Sequence, residues 1–373
     1  MGVTVIMPLT ERENYIRNAS MTGPEWIPAC VVFSGASWRE LGKDLEEVIL
    51  RHPILWPGFK KGSVKYWEMM PCEEIRIETD AWGCQWETAI DGLIGIVHKH
   101  PLDDWSKLSS YVPPDPLHPD PKFYEQPAML YPYVTDWEKA RRELTEARAR
   151  GELTWGHLEH GFLFLRLTYL RGFENLLADF ATTPPELDCL IDMVTSFHGK
   201  IVQQYLSIGI DVLGAGDDLG TQVNSIMGPK HFRRHLTPAY QRLFLPCRKA
   251  GAHVLLHSDG YIMDLMDEFE RCGVSIINPQ DLVNGIDALA KEVKGRFCIR
   301  LDIDRQKILP YGTRSDVRAL IEEEVRKLGS ERGGLEFIAG IYPPTPAENV
   351  DALACTLEEF RTYWWDGREK KSA

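Results

Sequence analysis

"AHVLLHSDGYIMDLMDEFERCGVSIINPQD", residues 252–281, is the stretch on which the reading of the chain turns. It opens on a run, Ala252–Leu256, that is apolar except at His253, and it leaves that run through His257, Ser258, Asp259 and Gly260. Helical spacing follows up to Gly273, and a second apolar run, "VSIIN", ends in Asn278, Gln280 and Asp281. Strand, helix and strand at this spacing form a parallel unit with a crossover helix. Alternate residues of a strand face the same side, so His257 and Asp259 point one way. The glycine after them lets backbone or ligand approach closely.

The same unit recurs on both sides. "IDVLGAG" (210–216) precedes the helix pattern of 229–251, and "GIDALAKEVKG" (285–295) follows the second strand. "RFCIRLDI" (296–303) is paired with 315–329, and "LEFIAG" (335–340) with 346–364. Upstream, "FLFLRL" (162–167) reads as a strand. The stretch 182–209 reads as a helix with Thr183 as N-cap and Leu187, Leu190, Ile191, Val194, Phe197 and Ile201 on one face. "IPACVVFS" (27–34) supplies a first strand. Such alternation predicts an α/β fold, a (β/α)8 TIM barrel, rather than an open doubly wound sheet. No GxGxxG follows any strand, which weakens dinucleotide binding.

We read residues 1–373 as a single barrel domain with irregular N-terminal insertions over about 60–155. There "EEIRIETDAWGCQWET" (73–88) reads as an antiparallel hairpin, and "YVPPDPLHPDPKFYEQP" (111–127) is too rich in proline for a helix or sheet interior. These insertions are expected to cover one mouth of the barrel. Trp38, Trp56, Trp82, Trp86, Trp105, Trp137 and Trp155 crowd this half and suit either packing of irregular segments or an aromatic pocket.

A formal net charge of -13 opposes phosphate backbones, so nucleic acid is not an expected partner. The short basic end "GREKKSA" reads as a solvated tail. No run approaches the roughly 20 apolar residues of a spanning helix, and no secretion signal opens the chain. The expected location is cytoplasmic, away from membranes. Eight cysteines without a CxxC pair favour reduced thiols over a disulfide framework. The acidic surface and irregular insertions suggest a homodimer.

In a barrel of this kind the site lies at the C-terminal ends of the strands. Polar residues gather there: Asp217, Asp218 and Gln222; His257 and Asp259; Asn278, Gln280 and Asp281; Asp302, Asp304 and Arg305; and Tyr342. Plainer roles stand beside these. Asp218 or Asp304 suits a cap on the following helix, and Asn278 and Gln280 suit loop backbone. His231 and His235 in "HFRRH" have metalloprotease spacing without its glutamate and read as helix-surface residues. "HKH" (98–100) reads as strand or loop.

The order "GDDLGTQ", "GPKHFRRHLTPAYQRLFLPCRKAGAHVLLHSDG", "GVSIINPQD", "PPTPAENVDAL" resembles the uroporphyrinogen decarboxylase superfamily from about residue 10 to 360. The opening "TERENYIRNASMTGPEWIPA" is similar to its corrinoid-dependent methyltransferase branch. The resemblance implies a (β/α)8 barrel. It also implies methyl transfer between a small methylated substrate and a corrinoid carried by a partner protein.

Decarboxylase members carry an arginine-rich "RQAGR"-like segment that grips porphyrinogen carboxylates. Here "VFSGASWRE" leaves Arg39 alone, so a carboxy-lyase acting on a porphyrinogen or other small acid is the alternative. Thiol-activating members of the superfamily hold zinc with His-x-Cys and a distant cysteine. His257 matches the first position, Asp259 replaces the second, and "FIAGIYPP" has no cysteine.

A carboxylate–imidazole site is harder than a thiolate site, which points from thiols to ether oxygen and to O-demethylation of a methoxylated compound. The ligands expected for zinc are His257, Asp259 and Asp302. Glu174, Asp217 and Tyr342 are the candidates for proton donation or catalysis, and Asp218, Gln222, Asn278 and Gln280 for substrate contact.

Overall fold

The computed structural model describes residues 9–68, 76–88, 95–119 and 134–366. Among the described residues there are ten strands: β1 Ala29–Phe33, β2 Arg76–Thr79, β3 Gln85–Thr88, β4 Ile96–Lys99, β5 Trp155–His160, β6 Val212–Gly216, β7 His253–Ser258, β8 Ile276–Pro279, β9 Cys298–Asp302 and β10 Leu335–Ile341. Seven make one parallel sheet in the order β1-β10-β9-β8-β7-β6-β5, and β2, β3 and β4 make a small antiparallel sheet. Strands β5 to β10 follow one another side by side, and the first strand of the chain docks on the last. The result is a curled α/β sheet of TIM-barrel type. It carries seven strands rather than eight, since among the described residues no ladder joins β1 to β5.

The strands are buried on both faces, as parallel strands covered by helices are. Leu213, Leu256, Ile277, Ile299, Leu301 and Phe337 face the surrounding helices and share one core with Leu190, Val194, Ile201 and Phe244 of those helices. Val212, Leu255, Ile276 and Cys298 face inward, where Tyr15 and Ala19 of the helix Glu11–Ser20 meet them. That helix closes the N-terminal end of the sheet, and the polar chemistry is left at the other end.

Two expectations near residue 160 are corrected. The strand lies at 155–160, and most of "FLFLRL" belongs to a helix, Phe164–Arg171. That helix has apolar residues all around it, so it shows no helical period. Its first two amides donate to the Asp217 carboxylate, Phe164 N at 2.6 Å and Leu165 N at 2.9 Å. The helix Pro185–Ile208 starts one residue later than read, with Pro184 as its cap; Thr183 instead ends the preceding helix in the left-handed region at φ 56°.

The hairpin forms as expected, and a third strand, β4, extends it. It is tied to the barrel through Asp80, which accepts from Trp82 N, Cys84 N, Trp86 Nε1 and Arg166 Nη1. The tryptophans pack: Trp82 on Phe197, Trp86 on Tyr169, Trp137 on Tyr205, and Trp38 between Phe33, Phe59 and Tyr66. The seven described cysteines are free thiols, and no helix among the described residues is long and apolar enough to cross a membrane. Half of the proline-rich stretch and the basic tail lie outside the described residues.

His253, at the start of β7, is 7% exposed; one ring nitrogen lies 3.2 Å from Ser20 Oγ and the other 3.3 Å from the Arg248 guanidinium. Burial, helped by Arg248, pushes its pKa down to about 4. The unfolded chain therefore takes up a proton that the folded one refuses, and stability is lost as pH falls from about 6.5 toward 4. Between pH 7 and 4.5 the native protein should lose about 2 kcal/mol more than His253→Gln. Denaturant titrations at the two pH values measure the difference.

Candidate functional site

Strand β5 decides what the mouth of the barrel contains. His157 pairs with Gly214 and His160 with Gly216, so three steps of β5 oppose two of β6. This is a bulge, which re-aims side chains. Without it, residues three apart would face opposite sides; with it, both imidazoles face inward. They lie on bare backbone: a Cβ at Gly214 would stand 2.8 Å from His157 Nδ1, and one at Gly216 would stand 2.8 Å from His160 Cδ2. The glycines of "LGAG" thus seat two histidines from the neighbouring strand.

At the top of β5, β6 and β7 three donors converge. His160 Nε2 is 3.4 Å from Asp218 Oδ1, His257 Nε2 is 3.8 Å from the same oxygen, and the ring centroids are 5.6 Å apart. All three ligand atoms lie within 4.8 Å of one another. Asp259 Oδ1 is 3.3 Å from His257 Nε2 and 2.6 Å from Arg305 Nη2, and Arg305 also reaches Asp302 at 3.5 Å. The Arg305 guanidinium sits 5.8 Å from the centroid of the Tyr342 ring.

Burial and charge set the protonation of the cluster. Burial acts to raise the Asp218 carboxyl, but the hydrogen bond from His160 and the charges of His160 and His257 hold it down at about 2. Burial works against charge on His257 too, yet its hydrogen bond with Asp259 and the charges of Asp259, Asp218 and Asp302 push it up to about 9. Asp302 is driven upward mainly by burial, against the pull of Arg305 and His257. With Nε2 protonated, the histidine is the cation that these acids share; with Nε2 free, it joins His160 Nε2 and Asp218 Oδ1 as a group that could hold a metal ion.

The residues singled out from sequence are distributed as follows. His257, Asp259, Asp302, Asp218 and Tyr342 come together at the mouth. Asn278 is there as well, 3.0 Å from His257 Nδ1. Asp217 is fully buried beneath it, engaged by the helix N-terminus and by Tyr240 Oη at 2.8 Å, and burial pushes its pKa up to about 7 against these donors. Gln280 accepts from Gly260 N at 2.9 Å. Gln222 is exposed in the loop after β6, and Glu174 is exposed on the first turn of the helix Phe173–Thr182.

Asp304 is a cap, accepting from Gln306 N, Lys307 N and Ile308 N. His231 and His235 lie on an outer helix that passes through a π turn at Phe232–Leu236, and His100 of "HKH" bonds Tyr169 O at 2.8 Å. The glycine after Asp259 serves backbone: Gly260 has φ 79° and crosses Gly220, with Gly220 N donating to Asp259 O at 3.2 Å. His160 had no sequence signal of its own beyond a histidine ending a short segment before Gly161.

Comparison with known proteins adds three findings. The uroporphyrinogen decarboxylase (URO-D) family model matches residues 164–360. Relatives include methylcobamide:CoM methyltransferase MtaA of Methanosarcina barkeri, 24% identical over 178 residues (46% of this chain and 48% of that protein). Uroporphyrinogen decarboxylase of Thermus thermophilus is 25% identical over 182 residues, with the same shares. The chain thus spans about half the length of these curated relatives. Among solved structures, a methyltransferase from Methanosarcina mazei superposes with a TM-score of 0.60 at 16% identity, over 94% of this chain and 98% of that one, and so shares the fold.

Proposed function

The chain belongs to the uroporphyrinogen decarboxylase (URO-D) family, and on that premise we propose that it is a methyltransferase that takes a methyl group from a methoxylated small molecule and passes it to a corrinoid on a partner protein, with zinc at the barrel mouth. The observation that carries this reading is the convergence of His160 Nε2, Asp218 Oδ1 and His257 Nε2. Two imidazole nitrogens and one carboxylate oxygen fit the three protein ligands of a catalytic zinc site, with a fourth position left for substrate. This set keeps His257 from the expected ligands and moves Asp259 and Asp302 to neighbouring roles, because both are held toward Arg305.

When bound, the cation supplies Lewis acidity to the ether oxygen. The protein's own residues do the rest. In the transfer the C–O bond breaks with its electron pair staying on oxygen, and the methyl carbon gains its new bond from the electron pair of the reduced corrinoid. The departing oxygen then collects a proton. Asp302 is suited to hold that proton, since burial favours its neutral form. Asp259 and Arg305 brace each other beside His257, and Tyr342 covers Arg305. The carboxylates of Asp218 and Asp259 would repel a polycarboxylate, which ranks decarboxylation second.

Purified protein should hold about one zinc, as a single catalytic site requires, and should methylate a reduced corrinoid from a panel of methoxylated donors. His160→Ala and His257→Ala should each lose both properties. Equal, negligible zinc in all three proteins would remove the metal from the reading. A corrinoid spectrum unchanged by every donor would remove methyl transfer.

A further inference from the structure

We propose that Asn278 is a positioning residue that locks the His257 ring in the tautomer presenting Nε2 to Asp218 and His160, an inference that rests on the zinc reading above. Asn278 on β8 is the direct register partner of His257 on β7, and it is 5% exposed. Its Nδ2 donates to the backbone carbonyl of Arg300 on β9 at 2.5 Å. A carbonyl only accepts, so this contact fixes which end of the amide is NH2. The other end, Oδ1, therefore faces His257 Nδ1 at 3.0 Å, and that nitrogen must carry the hydrogen.

The lone pair of the neutral ring is then on Nε2, the nitrogen 3.8 Å from Asp218 and 3.3 Å from Asp259. Burial keeps water from replacing the amide. Ligating histidines commonly have their second nitrogen held in this way, and the partner sets ring orientation and affinity. Here the partner is anchored to a third strand, so one amide ties β7, β8 and β9 together at the level of the site.

Asparagine also answers a question of residue choice. Aspartate would accept from Nδ1 equally well but would set a second oxygen against the Arg300 carbonyl. Leucine, of similar size, accepts nothing and leaves the ring free to rotate.

The test uses the purified full chain, zinc competition against a chromophoric chelator, and the cobalt(II)-substituted protein. Asn278→Leu should bind zinc about 10- to 100-fold more weakly than wild type. It should also lose the slowly exchanging, hyperfine-shifted ring N–H signal of His257 expected of wild type. Asn278→Asp should keep that signal and bind zinc close to wild type, at lower stability. If Asn278→Leu fails to fold, the aspartate variant decides: loss of the signal and of zinc affinity overturns the proposal. Zinc binding and ring proton unchanged in a folded Asn278→Leu overturn it as well. Wild type without zinc marks failure of the metal reading itself, and this proposal falls with it.

Discussion

Arg166→Met should cost about 3–5 kcal/mol of unfolding free energy, because it removes the cation from two buried carboxylates. The Arg166 side chain is 4% exposed and meets Glu159 through Nε at 3.1 Å and Nη2 at 2.6 Å, and Asp80 through Nη1 at 3.0 Å. The guanidinium also lies 5.0 Å from the Trp82 ring and 5.4 Å from the Tyr169 ring. Methionine restores packing and leaves the charges. Burial would raise the Glu159 carboxyl, yet Arg166 and His198 hold it at about 2. Its stabilising contribution is therefore present above about pH 4.5 and is lost as pH falls toward 2, so the deficit of the variant should narrow in acid.

Adding Glu159→Gln should recover part of the loss. Since Asp80 organises the β2–β3 turn, Arg166→Met should also sensitise 76–99 to protease. Denaturant midpoints and proteolysis time courses measure the two effects. A loss below about 1 kcal/mol, the scale of an exposed pair, would mean that water reaches the network.

Gly260→Ala should be the second severe change, at about 2–5 kcal/mol, from left-handed strain together with overpacking. A Cβ at Gly260 would stand 2.3 Å from both C and O of Gly220, and one at Gly220 would stand 2.5 Å from Gly260 C and Tyr261 N. Backbone meets backbone there, and no flexible side chain can give way. The crossing is fixed by Tyr261 N to Thr221 O at 2.7 Å and by Gln280 and Asn284 on the Gly260 peptide groups. The same loops carry Asp218 and Asp259, so under the proposed zinc reading metal content should fall along with stability. Gly251→Ala is the control: φ is 86° but nothing lies within 4 Å of its added Cβ, and it should cost only about 1–2 kcal/mol. Equal losses in the two variants would show that the crossing can open at little cost.

The part of the fold legible in sequence is the part with a clean period. β6 to β10 announce themselves as apolar runs followed by amphipathic helices, and their polar ends deliver His257, Asp259, Asp218 and Asp302 to one mouth. β5 is hidden for a physical reason. In "WGHLEH" the inward residues are histidines, and Glu159, on the other side, is satisfied by Arg166 and His198. No alternation of apolar and polar residues survives. The helix after it has apolar residues on every side and imitates a strand. His160 was lost with that strand. Asp217 and Asp218 look alike in sequence; only the fold gives one to a helix N-terminus and the other to two histidines. The amide of Asn278 was legible as a polar group at a strand end, but not as a link between two other strands.

The extra residue in β5 has a consequence for how this site tolerates change. Pairing β5 regularly on β6 without changing its length would leave every imidazole and carboxylate of the cluster in the polypeptide, yet it would exchange the sides of the sheet on which His160 and Glu159 emerge. The make-up of the mouth is thus encoded in a count of peptide units as much as in chemical identity. A frame of one residue separates a mouth with facing imidazoles from one with an acid where its base should be.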